Sequence, residues 1–272
     1  MKIGYTIWTW GLESEQDFLS ALQDLKKNNY QHFENFIGIA DLYEGKIDEF
    51  KKVLRDYDIE FVAIYNYIED LAADNLATAR KYLDFCRKTG AKIMNIQAPP
   101  RAVKPTEANL SLLANNLNAI GEEALKYGVT LCLHPHFETI VETQVEIDFI
   151  AEHTSPACVS FCFDTAHTVL GGMDPAHLVS EYSNRIGYMH LKDINPDVDI
   201  EKYRHEWQTN FENMQRFFEL GTKGIDFPKV VHRLTESGYE GFYVVEVDTP
   251  TVSNFEAART SMDYLYKEFL LN

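Results

Sequence analysis

Four short apolar runs in the 272-residue chain each end in ionisable side chains. The endings read Leu133-His134-Pro135-His136, Phe163-Asp164-Thr165-Ala166-His167, His190-Leu191-Lys192-Asp193 and Val245-Glu246-Val247-Asp248. Alternate residues of a strand point to the same face. Asp164, His190 and Glu246 can therefore face one interior while their apolar neighbours face outward. The endings predict a common site that contains imidazole, carboxylate and ammonium groups.

A metal ion explains this mixture of side chains best, and His134, Asp164, His190 and Glu246 are the candidate ligands. A His/carboxylate set suits Mn²⁺, Co²⁺, Zn²⁺ or Fe²⁺, whereas an all-oxygen set would favour Mg²⁺ or Ca²⁺. Such an ion can bind a hydroxyl and a carbonyl of a sugar and stabilise the enediolate that forms when a base removes the α-proton. Each side chain alone could instead be a helix cap or an ion-pair partner, so the prediction rests on all four together.

Other polar and aromatic residues lie near these endings, and the sequence leaves their roles open. Lys192 could contact a substrate or neutralise the aspartate that follows it, and Glu142 could be a favourable charge at the start of a helix. Asn95 and Gln97 alternate at the end of another apolar run, where they could bind substrate hydroxyls. Trp8 could stack on a sugar ring or simply fill the interior.

The charge balance excludes several classes of partner. The chain has 25 Lys+Arg and 42 Asp+Glu, a formal net charge of −17, which would repel nucleic acid or an anionic membrane. No run approaches the roughly 18 apolar residues of a membrane span, and acidic residues follow the first strand too early for a signal peptide. The four cysteines have no CxxC spacing. We therefore expect a cytoplasmic protein with reduced thiols.

Eight β-rich runs alternate with helical patterns along the chain, which predicts βαβ units and a parallel sheet. The runs begin at Ile3, Gln31, Glu60, Lys92, Thr130, Val159, Ile186 and Phe242. Gly90 and Gly128 stand where helix C-caps belong, and Asp174-Pro175 predicts the start of a helix.

Eight such units predict an α/β fold, a (β/α)8 TIM barrel that forms a single domain over residues 1–272. Active sites of such barrels lie at the C-terminal ends of the strands, where all four polar endings fall. The long seventh connection, about residues 194–223, is predicted to be a capping insertion over that end. A doubly wound sheet is the alternative, but no strand leads into a GxGxxG turn.

With these endings the sequence resembles, over essentially the whole chain, the xylose isomerase-like family of sugar (phosphate) isomerases and epimerases. Members of that family bind one divalent metal through a Glu on strand five, an Asp in a DxxH turn on strand six, a His on strand seven and a Glu on strand eight. The resemblance assigns Asp164, His190 and Glu246 to three of these ligands, and His167 to a substrate-binding or supporting role. It also implies a dimer or tetramer.

Strand five departs from the family pattern, because His134 stands at the place of the family's glutamate. The string that begins there, HPHFETIVET, is similar to the HPHxGTxVET motif of the inosose dehydratase branch, with Glu138 where that motif has Gly. Later segments also agree with that branch: HLKD from His190, GIDF from Gly224 and GYEGF from Gly238.

The resemblance implies a metal-dependent isomerase or epimerase that removes a proton next to the carbonyl of a keto-sugar or cyclitol. The alternative is an inosose-type dehydratase, which shares that first step and then expels a β-hydroxyl with the help of a general acid. Glu246 and either His134 or His136 would act as ligand and base, with His167 or Lys192 as the acid. The full set of catalytic candidates is His136, His167, Lys192 and Glu142. The substrate-binding candidates are Glu34, Asn95, Gln97 and Trp8.

Two further classes have to be considered. A sugar-binding barrel without catalysis is the alternative of another class. DNA-repair enzymes of the endonuclease IV group resemble the same barrel family, but they grip phosphates, which the net charge of −17 disfavours. We therefore expect a small-molecule substrate and no nucleic-acid or membrane partner.

Overall fold

The structure, a computed structural model, describes residues 1–11 and 14–270, so residues 12, 13, 271 and 272 of the predicted domain lie outside it. Eight parallel strands close into a barrel in the order β1 to β8. The strands are β1 Lys2–Thr6, β2 His32–Phe36, β3 Glu60–Tyr67, β4 Ile93–Gln97, β5 Thr130–His134, β6 Val159–Asp164, β7 Ile186–Leu191 and β8 Phe242–Val245. The predicted TIM barrel is confirmed, and the doubly wound alternative is wrong.

Helices connect the strands, and most of those in the described residues begin at a side chain that caps the first turn. Their bounds are α1 Glu15–Lys27, α2 Gly38–Leu42, α3 Ile47–Tyr57, α4 Asn75–Thr89, α5 Glu107–Tyr127, α6 Gln144–His153, α7 Thr165–Leu170, α8 Pro175–Glu181, α9 Ile200–Asn210, α10 Phe227–Glu236 and α11 Asn254–Leu265. The predicted start at Asp174-Pro175 is confirmed, because Asp174 accepts the N–H groups of Ala176 and His177. None of the described helices has the length and apolar character needed to cross a bilayer.

The apolar residues form two layers. A small cluster fills the barrel interior and consists of Val62, Ala63, Ile93, Cys132, Cys162, Tyr188 and Val244. A larger cluster contains buried residues from both the strands and the helices. The two interior cysteines precede His134 and Asp164 by two residues each, so they pack one layer below the polar strand ends.

The parallel register brings the polar endings to one end of the barrel. Asp164 pairs directly with His190 across β6 and β7. The N–H of Glu246, just after β8, donates to Leu191 O at 3.0 Å. Gln97 on β4 pairs with His134 on β5. The side chains that the sequence singled out are therefore neighbours in space.

Gly128 ends α5 in the left-handed region, at φ 69°, which confirms the predicted C-cap. A Cβ built there meets no atom within 4 Å, so a substitution acts on the backbone alone. We expect Gly128→Ala to lower the free energy of unfolding by about 1 kcal/mol, measured by urea denaturation. Gly38→Ala is the control, because Gly38 also has open space but no positive φ. Equal losses in the two variants would contradict this explanation.

Candidate active site

Three side chains from neighbouring strands converge where β6, β7 and β8 end. Asp164, His190 and Glu246 each offer one ligand atom, and these atoms lie within 4.8 Å of one another. His190 Nδ1 is 2.8 Å from Glu246 Oε2 and 4.0 Å from Asp164 Oδ2. All three atoms are buried and, apart from the close His190–Glu246 contact, none has a hydrogen-bond partner within the described part of the chain. Since buried polar atoms rarely lack a partner, this arrangement fits three ligands that face a common cation.

The other nitrogen of His190 is held from behind by Glu34. His190 Nε2 lies 2.5 Å from Glu34 Oε2, and Asn95 Nδ2 donates to Glu34 Oε1 at 2.6 Å. Glu34 lies on β2 and is fully buried. The carboxylate accepts the Nε2 proton, so Nδ1 is the ring nitrogen that faces Asp164 and Glu246 and can bind a metal ion or a second proton there.

Three further histidines line the same end of the barrel. His134 Nδ1 is 3.2 Å from Cys162 O, and His136 Nδ1 is 2.6 Å from Phe137 O. Because a carbonyl accepts only, both rings carry the proton on Nδ1 and keep a lone pair on Nε2. The His136 and His167 rings are 3.7 Å apart between centroids. His136 is the partly exposed member of the three, while His134 and His167 are buried.

Lys192 places a buried cation beside the three converging side chains. It is 1% exposed, and its Nζ contacts Glu246 Oε1. The same atom lies 3.4 Å from Asp248 Oδ2 and 3.3 Å from His167 Nε2. Thr165 fixes the backbone at this point, because its hydroxyl accepts Lys192 N–H at 2.9 Å and donates to Lys192 O at 2.7 Å.

The direction of the pKa shift separates the four histidines into two groups. Burial lowers the pKa of His134 and His167 well below the ordinary value and that of His136 to about 3, so these rings are neutral. Burial also acts to lower the pKa of His190, but Cys162, Glu34 and Glu246 raise it well above the ordinary value. The position between these carboxylates therefore favours positive charge.

The pKa values of Lys192 and Glu246, which contact each other, are shifted in opposite directions. Burial acts to lower the pKa of Lys192, but the carboxylates of Asp248 and Glu246 raise it above the ordinary value. Burial acts to raise the pKa of Glu246, but Lys192 and His190 hold it well below its usual range. Lys192 is therefore protonated and Glu246 ionised at neutral pH.

The segment 194–223 contacts the same cluster from outside the barrel. Its helix α9 places Trp207 with a ring centroid 6.0 Å from that of His136. Phe217 lies 4.8 Å from the ring of His167 and 4.1 Å from Lys192 Nζ. An isolated β-bridge between Asp193 and Phe218 returns the chain to the barrel.

The predicted substrate-binding residues lie at this end, with different contacts. Glu34 has both oxygens in contact with protein groups, and Asn95 keeps its Oδ1 without a partner among the described residues. Gln97 Oε1 accepts from Tyr65 OH at 2.7 Å. Trp8 stacks on a phenylalanine ring of β2, and its Nε1 lies 3.5 Å from an Asp248 oxygen.

Glu142, predicted as a catalytic residue, is 2% exposed and lies between two arginines. Its Oε2 is 3.5 Å from Arg101 Nε and 3.3 Å from Arg204 Nη1, and Arg204 Nη2 contacts its Oε1. Glu142 Oε2 also accepts the N–H of Glu138 at 3.1 Å. Its carboxylate is thus tied to the α9 side of the site.

Several residues that contact the candidate site residues were not among the sequence predictions. Asp248 was detectable, because it follows Glu246 by two residues and shares its face. Arg101, Arg204, Trp207 and Phe217 lie in connections without strand periodicity, so the sequence had no signal that pointed to them.

We expect Glu34→Gln to weaken binding of a divalent metal by roughly 10- to 100-fold, as measured by competition with a chelating dye. The neutral amide can no longer fix the Nε2 proton of His190 or raise the basicity of Nδ1. Glu60→Gln is the control, because Glu60 is an exposed carboxylate that lies 3.7 Å from His32 Nε2. Identical metal affinities in Glu34→Gln and the unmodified protein would show that Glu34 does not support a ligand.

Comparisons with known proteins agree with the family that the sequence resembles. The profile of the family described as Xylose isomerase-like TIM barrel matches residues 22–268. An inosose dehydratase of Geobacillus kaustophilus (strain HTA426) is 28% identical over 272 residues, which cover 97% of this chain and 83% of that protein. An inosose dehydratase of Geobacillus thermodenitrificans (strain NG80-2) is 32% identical over 203 residues, which cover 68% of each. The crystal structure of the IOLI protein with a binding zinc atom has the same fold, with a TM-score of 0.79, 17% identity and 99% coverage of both chains.

Proposed function

The chain belongs to the xylose isomerase-like TIM-barrel family, and we propose that within it the protein is a metal-dependent dehydratase of an inosose-type keto-cyclitol. It is an enzyme of a group that isomerises, epimerises or dehydrates sugars and cyclitols, which sets aside the non-catalytic alternative. The relatives that carry the name inosose dehydratase support the choice of reaction. The observation that carries it is Lys192, a buried proton donor next to the three converging side chains.

Asp164, His190 and Glu246 are the residues that would hold the metal, with His134 as a further predicted ligand. Their convergence within 4.8 Å, with buried atoms that have few partners among the described residues, supports a cation there. The zinc atom of the IOLI protein is a further argument for a metal. The imidazole in the set favours Mn²⁺, Co²⁺, Zn²⁺ or Fe²⁺ over Mg²⁺. A divalent ion bound there would polarise a carbonyl or hydroxyl oxygen of the substrate.

The remaining groups divide the proton transfers between them. Neutral His136 would remove the proton next to the substrate carbonyl with its free Nε2. Lys192 would give a proton to the β-hydroxyl as the C–O bond breaks, so that water leaves. His167 lies between them, with its ring 3.7 Å from that of His136 and Nε2 3.3 Å from Lys192 Nζ. The proton that His136 gains would then pass through His167 to Lys192. Both residues would thereby regain the protonation states from which they started.

Substrate recognition would use polar and aromatic groups at this end of the barrel. Asn95 Oδ1, which has no partner among the described residues, the amide of Gln97 and the indole of Trp8 suit the hydroxyls and C–H faces of a cyclitol. Glu142, paired with Arg204, would form part of the opposite wall of the substrate site. Segment 194–223 would cap the site and exclude water through Trp207 and Phe217.

Incubation with keto-inositols and ketohexoses in D₂O, followed by NMR and mass spectrometry, tests the proposal. Metal-dependent loss of one water from a keto-inositol is the expected result. Deuterium incorporation without loss of water would instead identify an isomerase or epimerase. Turnover that persists unchanged after complete removal of metal by a chelator would contradict the metal-dependent mechanism.

A further inference from the structure

Glu138, in the connection between β5 and α6, has an unusual backbone conformation for its residue type. Its φ is +63°, in the left-handed region that favours glycine, and the similar dehydratase motif has Gly at this position. A strained residue of this kind persists where its surroundings hold it in place. We propose that Glu138 is a positioning residue that holds α9 against the substrate site.

The side chain of Glu138 reaches from its loop to α9. It is 14% exposed and forms an ion pair with Arg204. Its other oxygen accepts from Gln208 Nε2 at 2.9 Å. Arg204 and Gln208 are four residues apart, so they lie on one face of the helix. One carboxylate thus binds two successive turns of α9.

Apolar side chains also attach helix α9. Tyr203 is buried, and Ile200 and Trp207 are partly buried against the core. The guanidinium of Arg204 packs 4.6 Å above the Phe137 ring, and the Tyr203 ring lies 5.7 Å from the same ring. The polar contacts with Glu138 and Glu142 add to this apolar packing and bind the polar face of the helix.

The attachment matters for the site because α9 carries Trp207 to a centroid distance of 6.0 Å from His136. Among the residues that the structure describes, the Glu138 side chain forms no hydrogen bond or ion pair with His136 or with the three converging side chains. Its loss would therefore loosen one wall of the substrate site without changing the groups that move protons. The identity of the substrate in this inference rests on the proposed function. The contact between Glu138 and α9 does not depend on it.

Glu138→Gly tests the inference in the whole chain loaded with Mn²⁺, because glycine removes the side chain and also relieves the left-handed backbone. Hydrogen exchange of the amides of residues 200–210, followed by mass spectrometry without substrate, is expected to accelerate by about 10-fold. With keto-inositol as substrate, KM is expected to rise by about 10-fold while kcat stays within about two-fold. Glu138→Gln keeps an acceptor for Arg204 and is expected to restore most of both properties.

Glu212→Gln is the matched control, because Glu212 is an exposed carboxylate in the same segment. Its exchange and kinetics are expected to equal those of the unmodified protein. Unchanged exchange of α9 in Glu138→Gly overturns the inference even if the protein dehydrates keto-inositols. Faster exchange supports it even if no turnover is found, in which case the proposed function fails and the inference stands.

Discussion

Replacement of Asp164 by asparagine is expected to remove the metal and to lower kcat/KM by roughly 10³-fold. Loss of the ion removes several kcal/mol of stabilisation of the charge that develops on the substrate oxygen, and each 1.36 kcal/mol is a factor of ten in rate. Asn keeps the volume of Asp and remains a good N-cap for α7, where Asp164 Oδ1 accepts His167 N–H at 2.8 Å. The fold is therefore expected to persist. Elemental analysis after dialysis against Mn²⁺ measures the metal content directly.

Asp174→Asn is the matched control for this substitution. Asp174 also caps a short helix, with Oδ1 2.7 Å from Ala176 N, but it lies on the surface and pairs with Lys229. Metal content and kcat/KM of this variant are expected to equal those of the unmodified protein. If Asp164→Asn binds metal stoichiometrically with unchanged affinity, Asp164 is not a ligand and the assignment has to be abandoned.

The converging residues could be found in the sequence because they depend on two simple regularities. Strands alternate their side chains, and parallel strands in a barrel end at the same face. Asp164, His190 and Glu246 each end an apolar run, so their meeting follows from the order of the elements alone. The same reasoning located Gly128 as a helix end, because the requirement for positive φ is local.

The contacts that orient these residues depend on distances across the barrel, which periodicity does not encode. Glu34 binds His190, which lies 156 positions later in the chain. The sequence predicted Glu34 as a substrate-binding residue, because strand periodicity does not distinguish a substrate contact from a contact with another side chain. Arg204 belongs to a connection whose path is set by tertiary packing, so its pairing with Glu138 and Glu142 had no signature in the sequence.

Replacement of Lys192 by methionine is expected to lower kcat for dehydration by about 10²- to 10⁴-fold, the usual contribution of a general acid. Methionine matches the length and apolar stem of lysine, so the packing against Phe217 is expected to survive. Lys192 also contacts Glu246, so metal content has to be measured in the same preparation. Lys229→Met is the control, because Lys229 is an exposed lysine in a surface ion pair.

The two halves of the proposed reaction should respond differently to this change. His136 remains in place, so exchange of the substrate α-proton with D₂O, followed by NMR, is expected to continue in Lys192→Met. Departure of the β-hydroxyl lacks its acid, so deuterated substrate should accumulate without loss of water. An isomerase would show no such separation, because it has no leaving group to protonate. Equal losses of exchange and elimination at full metal content would show that Lys192 serves the proton abstraction, and its role as the acid for the leaving group would be wrong.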